Sequence, residues 1–87
     1  MSVFMVERSL KGISMSQLGQ AQQSAIQAAE QLSRTGNPVK YIRSTFVPES
    51  GACMCLFEAS DASTVQKLND SANLPYNRIV PALDLTP

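Results

Sequence analysis

Ala52-Cys53-Met54-Cys55-Leu56-Phe57-Glu58-Ala59 is the most apolar run in the sequence, holds both cysteines, and has turn residues on each side. A short apolar run bounded by Gly and by a Ser/Asp cluster predicts a central β-strand, buried on both faces. Alternation places Cys53, Cys55 and Phe57 on one face, and Ala52, Met54, Leu56 and Glu58 on the other. The cysteine face looks onto a core, a ligand pocket or a metal site, and which of these it is sets the function.

Upstream of that strand, Pro48-Glu49-Ser50-Gly51 is a short loop. It joins the strand to Val39–Val47, where Val39, Tyr41, Arg43, Thr45 and Val47 alternate with Lys40, Ile42, Ser44 and Phe46. The two runs form a hairpin with a glycine supplying the bend. Further back, Ser14-Met15-Ser16-Gln17 reads as a capping box that opens a helix. Leu18, Ala21, Ala25, Ala28 and Leu32 recur at three- and four-residue spacing along it, widened by Ile26 and Ala29. Gly36-Asn37-Pro38 stops that helix. Ser2–Leu10 is the first strand, with Val3, Met5 and Glu7 on one side and Phe4, Val6 and Arg8 on the other; Lys11-Gly12-Ile13 turns out of it.

Downstream, Ser60 or Asp61 caps a shorter helix with a buried stripe of Ala62, Val65, Leu68 and Ala72. Asn73-Leu74-Pro75-Tyr76 ends it, and Asn69, Asp70 and Asn73 read as its solvated end. A last strand runs from about Arg78 to Leu85, with Ile79, Leu83 and Leu85 on one face; Pro81 argues for an edge position or a bulge. The order is β-α-β-β-α-β, the split-βαβ plan of an α+β, ferredoxin-like domain. Right-handed crossovers put the cysteine strand between strands one and two of a four-stranded antiparallel sheet. Two helices cover only one sheet face. The other is too apolar to stay wet on every strand, which predicts a homodimer closed face to face as an α+β barrel.

Composition supports this plan and excludes several functions. The chain has 87 residues, 44% hydrophobic and 16% charged, which describes one globular domain spanning 1–87. A monomer of this size buries only about 60% of its unfolded surface, and two cysteines build no disulfide framework, so oligomerisation is a natural second source of buried area. Seven basic residues balance seven acidic ones. The electrostatic footprint of a nucleic-acid binder is therefore missing, and so is a polybasic membrane patch. No apolar run approaches the roughly 18 residues of a membrane span. Residues 1–8 lack the basic and long apolar regions of a secretory signal, so the expectation is a cytoplasmic protein with reduced thiols. The sequence contains no histidine. That removes Ser-His-Asp and Cys-His catalysis, His-x-x-Glu-His zinc sites and facial-triad iron sites.

With the elements placed, Phe4-Met5-Val6-Glu7-Arg8, Tyr41-Ile42-Arg43-Ser44, Cys55-Leu56-Phe57-Glu58-Ala59, Asp61 and Leu74-Pro75 stand out together. In this order and at these separations they resemble the small bacterial domains of domain-of-unknown-function family 4242, a nickel-binding-protein-like group. The resemblance implies a ferredoxin-like fold, a dimeric habit and metal binding in some members. A nickel site is expected to use imidazole, which this chain does not have, so the fold carries over and the nickel site does not. Glu7, Ser44, Cys55 and Glu58 match the pattern without an assigned role.

Two constellations remain as candidate sites. Cys53 and Cys55, two residues apart on a strand, have Cα atoms about 6.6–6.8 Å apart, at the upper edge of disulfide geometry. As thiolates they suit a soft transition metal such as Cu(I) or Zn(II), with further ligands from Met5 or a second subunit. As thiols they suit a buried strand position, because free cysteine is among the most buried residue types, and no positive charge flanks them in sequence. The second constellation is Glu7, Arg43 and Tyr41. If their faces coincide, an acid, a cation and a phenol line a pocket between dimer sheets, where a buried carboxylate could exchange protons near neutrality. The same charges also suit strand ends that face water or pair with each other.

Three functions stay open on the sequence. The first is a small dimeric binding or accessory domain for a small-molecule ligand. The second is a metal-binding protein using Cys53 and Cys55, although no cofactor is required by the sequence. The third is a cofactor-independent barrel-dimer enzyme with Glu7 as proton carrier.

Overall fold

Alternation along the cysteine strand holds throughout. Cys53, Cys55, Phe57 and Ala59 are buried, and Ala52, Met54, Leu56 and Glu58 are half-buried on the opposite side. The computed structural model describes residues 1–87, with strands β1 (Ser2–Ser9), β2 (Val39–Val47), β3 (Ala52–Ala59) and β4 (Arg78–Ala82), and helices α1 (Met15–Arg34) and α2 (Ala62–Ser71). The sheet order is β2-β3-β1-β4, antiparallel throughout, so the cysteine strand lies between strands one and two as its position in the chain predicts. This is the ferredoxin-like βαββαβ arrangement.

The helices form where their capping chemistry allows. Ser14 accepts from the Gln17 amide at 3.1 Å, and the Gln17 side chain accepts from the Ser14 amide at 3.1 Å, closing the capping box. Asp61 caps α2 by accepting from the amide and hydroxyl of Thr64, each at 3.0 Å. Hydrogen bonds from Ser63 first, then from Thr64, hold its carboxyl below the usual value. Both helices pack on one sheet face. Ala25 and Ala29 of α1 and Val65 and Leu68 of α2 join Phe4, Val6, Val39, Cys53, Cys55, Phe57 and Ala59 in one core. The alanines bring α1 close to the sheet.

Gly51 has φ +79°, and a Cβ there would lie 2.3 Å from the Lys11 backbone. This bare backbone lets the β2–β3 turn press on the β1–α1 turn, where the Leu10 amide donates to the Gly51 carbonyl at 2.7 Å.

Four expectations are corrected. First, β4 ends at Ala82, not Leu85, because Ala82 already pairs with Val3 at the start of β1 and little partner strand remains. Leu83 and Leu85 are 82% and 85% exposed. Second, the α2 stripe is shifted: Ala62 is exposed, while Thr64 and Asn69 are buried beside Val65 and Leu68. Third, Asn69 is no solvated helix end, since it is fully buried. Fourth, β2 carries a bulge. Tyr41 pairs with Phe57 and Arg43 with Leu56, leaving Ile42 as the extra residue. From that point the alternation of β2 is inverted, and Ser44 and Phe46 join Tyr41 on the helix side.

Candidate functional site

The inversion in β2 builds a site. Ser44 lies opposite Cys55, and Phe46 opposite Cys53, all four facing the helices. Across β1, Arg8 lies opposite Cys53 on the same face. Between these strands and the first half of α1 is a cavity of about 150 Å³, walled by Arg8, Cys53, Cys55, Ser44, Tyr41 and Gln22 together with apolar side chains of α1, Phe46 and Leu74.

Hydrogen bonds run into this cavity in one direction. Gln22 Nε2 donates to Tyr41 Oη at 3.0 Å. Tyr41 Oη lies 2.7 Å from Ser44 Oγ, and Ser44 Oγ donates to Cys55 Sγ at 3.0 Å. Each hydroxyl has one hydrogen to give, and that of Ser44 goes to sulfur, so the Tyr41 hydrogen goes to Ser44. The chain ends on Cys55 Sγ, which lies 3.8 Å from Cys53 Sγ. The ring of Tyr41 is fixed edge-on against Phe57, with centroids 5.5 Å apart. Burial first, and then the neighbouring Cys55 thiol, push Cys53 up to about 11 from 9.0; the Arg8 charge opposes them.

Arg8 is held from behind. Its Nη1 donates to the Pro75 carbonyl at 3.1 Å and its Nη2 to Asn69 Oδ1 at 2.8 Å, while Asn69 Nδ2 donates to the Val65 carbonyl at 2.8 Å. One buried residue of α2 thus fixes the guanidinium beside the thiols.

The candidate residues divide between the two sheet faces. Cys53 and Cys55 line the cavity, so the cysteine face looks onto the helices. Met5 lies on the far face, paired with Leu56, and cannot serve as a third sulfur ligand. The acid, cation and phenol do not converge: Tyr41 faces the helices, while Glu7 and Arg43 occupy the other face. There Glu7 pairs with Arg78, and Arg43 with Asp84 at 2.9 Å. The bulge at Ile42 is the reason, because it separates two residues that unbroken alternation would keep together. Residue-by-residue reading missed the positive charge beside Cys53, since Arg8 is 45 positions away in sequence and adjacent only across the β1–β3 ladder. The available signal was a charged residue in the same alternating set as Phe4 and Val6. Gln22 gave no such signal, being one of several glutamines on α1.

The donor set does not fit nickel. There is no imidazole, and nowhere does the chain gather three or more Cys, Asp or Glu side chains able to hold an ion. No helix is long and apolar enough to cross a membrane.

Comparison with known proteins bears on the family and the fold. The sequence profile of the family described as nickel responsive protein SCO4226-like matches residues 4–81. No curated protein sequence matches the chain. The crystal structure of SCO4226 from Streptomyces coelicolor A3(2) superposes with a TM-score of 0.82 at 24% identity, over 98% of this chain and all of that one. At that identity the likeness speaks for the fold. The match agrees with the nickel-associated side of the resemblance carried by the motifs, under a description other than the number 4242.

Proposed function

The chain belongs to the SCO4226-like family of nickel-responsive-protein-like domains, and from that premise we propose that it is a small homodimeric binding domain whose ligand occupies the cavity between α1 and the sheet. The observation that carries this reading is the lining of the cavity. Two thiols, a buried guanidinium and a directed chain of hydroxyls face a space that a tightly packed core of this size would fill with methyl groups. No catalytic base faces the space, so the reading is binding without chemistry. Glu7, held by Arg78 on the other face, takes no part in it.

The dimer half of the proposal rests on that other face. Val3, Met5, Met54, Leu56, Val80 and Ala82 form a half-exposed apolar band across three strands. Lys40 opposite Glu58 and Arg78 with Glu7 border it, and Arg43 of β2 meets Asp84 from the segment after β4 across it. Three acids and three bases leave this face without net charge, so a second copy meets it without net repulsion. Light scattering at micromolar concentration should give twice the chain mass, and Leu56→Glu should give the monomer mass. A wild-type monomer refutes this half. For the cavity, Ala25→Leu fills the space from α1; it should abolish ligand-induced thermal shifts in a screen of small molecules while leaving the dimer intact. Shifts that persist in this variant place the ligand elsewhere.

A soft-ion reading stands second because of one distance. Tetrahedral Zn with bonds of about 2.3 Å sets two thiolate sulfurs about 3.8 Å apart, and Cys53 Sγ and Cys55 Sγ are 3.8 Å apart. It requires stoichiometric Zn or Cu in purified protein, lost in Cys53→Ser/Cys55→Ser. Protein that takes up neither ion ends this reading.

A further inference from the structure

The charges around the cavity do not cancel. Arg8 is only 5% exposed, yet it is absent from the ion pairs of the chain, which join Arg34 to Glu30, Arg43 to Asp84 and Arg78 to Glu7. Its partners, the Pro75 carbonyl and Asn69 Oδ1, are neutral. They engage two of the five N–H donors of a guanidinium. Asn69 is in the last turn of α2, so the helix end contributes a partial negative charge, well short of a whole one. None of the residues lining the cavity is Asp or Glu. The neighbouring Cys53 stays protonated at neutral pH, its thiol pushed up to about 11. A buried charge ordinarily has a counter-charge, and here the chain supplies none.

The remaining walls limit what can provide one. Leu10, Leu18, Ala21, Ala25, Phe46 and Leu74 make up half of the lining, and the hydroxyl hydrogens of Tyr41 and Ser44 are already given to Ser44 and Cys55. These walls would leave the outer oxygens of inorganic phosphate short of donors, and a dicarboxylate would bring a second charge with no cation to meet it. An apolar cavity of about 150 Å³ is known to admit benzene, which sets the size of the apolar body at roughly six carbons.

We propose that the cavity binds a small monocarboxylate, its carboxylate taken by the free donors of Arg8 and its apolar body lying between α1 and Phe46. The inference rests on the cavity being the binding site and adds the chemistry of the occupant. A charge-assisted carboxylate–guanidinium contact discriminates against a neutral isostere by roughly ten- to a hundredfold.

The test titrates wild-type protein at pH 7 with hexanoate and benzoate, with hexanol and benzyl alcohol as neutral counterparts, and with hexylamine as the opposite charge. Methyl resonances of Leu18 and Leu74 report the cavity, and those of Met5, Met54 and Leu56 the far face. Carboxylates should shift the cavity methyls alone, bind at least tenfold tighter than the alcohols, and leave hexylamine without effect. Arg8→Gln, which keeps a donor for Asn69 and Pro75, should erase the preference. Alcohols binding as tightly as carboxylates at the cavity methyls would overturn the carboxylate inference and leave the cavity reading standing. If no probe moves those methyls, both fall. A preference that survives Arg8→Gln also overturns the inference, and the comparison within wild-type protein needs no variant to fold.

Discussion

Cys53 makes the stability of the folded chain depend on alkaline pH, and the size of the effect follows from its surroundings. Its thiol is 3% exposed, and burial together with the Cys55 thiol raises it from 9.0 to about 11. In the unfolded chain the proton leaves near pH 9; in the folded chain it stays until about pH 11. Between those values the native state holds more protons than the unfolded one, so unfolding free energy falls as pH rises. The contribution is fully present below pH 9 and is lost as pH climbs through 11. Two pH units at about 1.4 kcal/mol each give a loss of roughly 3 kcal/mol. Lysines and tyrosines titrate in the same range, so the quantity to measure is a difference between proteins. Urea unfolding of wild type and Cys53→Ala, under reductant at pH 8, 9, 10 and 11, should give curves offset by a constant below pH 9 and converging by roughly 2 kcal/mol at pH 11, most of the full loss. Removing the thiol creates a small cavity at every pH, which sets the constant offset and not the slope. Native Cys53 should also react with iodoacetamide at pH 8 roughly a hundredfold more slowly than the unfolded chain, from its thiolate fraction alone. Unfolding curves that stay parallel from pH 8 to 11 would refute the reasoning.

Other expected outcomes follow from single contacts. Gly51→Ala should destabilise by more than the roughly 1–2 kcal/mol of a left-handed non-glycine residue, because its Cβ also meets the Lys11 backbone; equilibrium unfolding measures it. Phe57→Ala removes a fully buried ring and its edge contact with Tyr41, for a loss of about 3–5 kcal/mol in the same assay. Ser14→Ala opens the capping box of α1 and should cost about 1 kcal/mol, with slower amide exchange lost first at Gln17 and Leu18. Glu7→Gln disrupts only an exposed pair with Arg78 and should change stability by less than about 1 kcal/mol by chemical denaturation.

Much of the fold is written in local pattern. The alternation of Ala52–Ala59, the Ser14/Gln17 box, the Gly36-Asn37-Pro38 stop and the Gly51 bend each lead to the observed element, because each is governed by neighbours within four residues. Pro81, which a missing amide hydrogen confines to an edge or a bulge, lies on the edge strand β4 in unbroken register. Where readings fail, a distant partner decides. The last strand stops at Ala82 because β1 runs out opposite it, and Asn69 is buried because Arg8 reaches it from another element. The adjacent apolar pair Tyr41-Ile42 is the break in the alternation of β2, and it was the visible trace of the bulge.

By itself, then, the sequence determined the six elements, their order, the central place of the cysteine strand and that its two thiols share one face, since period-two alternation and capping are local properties. Tertiary structure alone decided what those thiols meet. Strand register belongs to a pair of strands, not to either sequence: the bulge at Ile42 turned Ser44 and Phe46 onto the cysteine face, and the β1–β3 pairing set Arg8 beside Cys53. Those two pairings convert a buried strand face into a cavity with thiols, a hydroxyl chain and an unmatched positive charge.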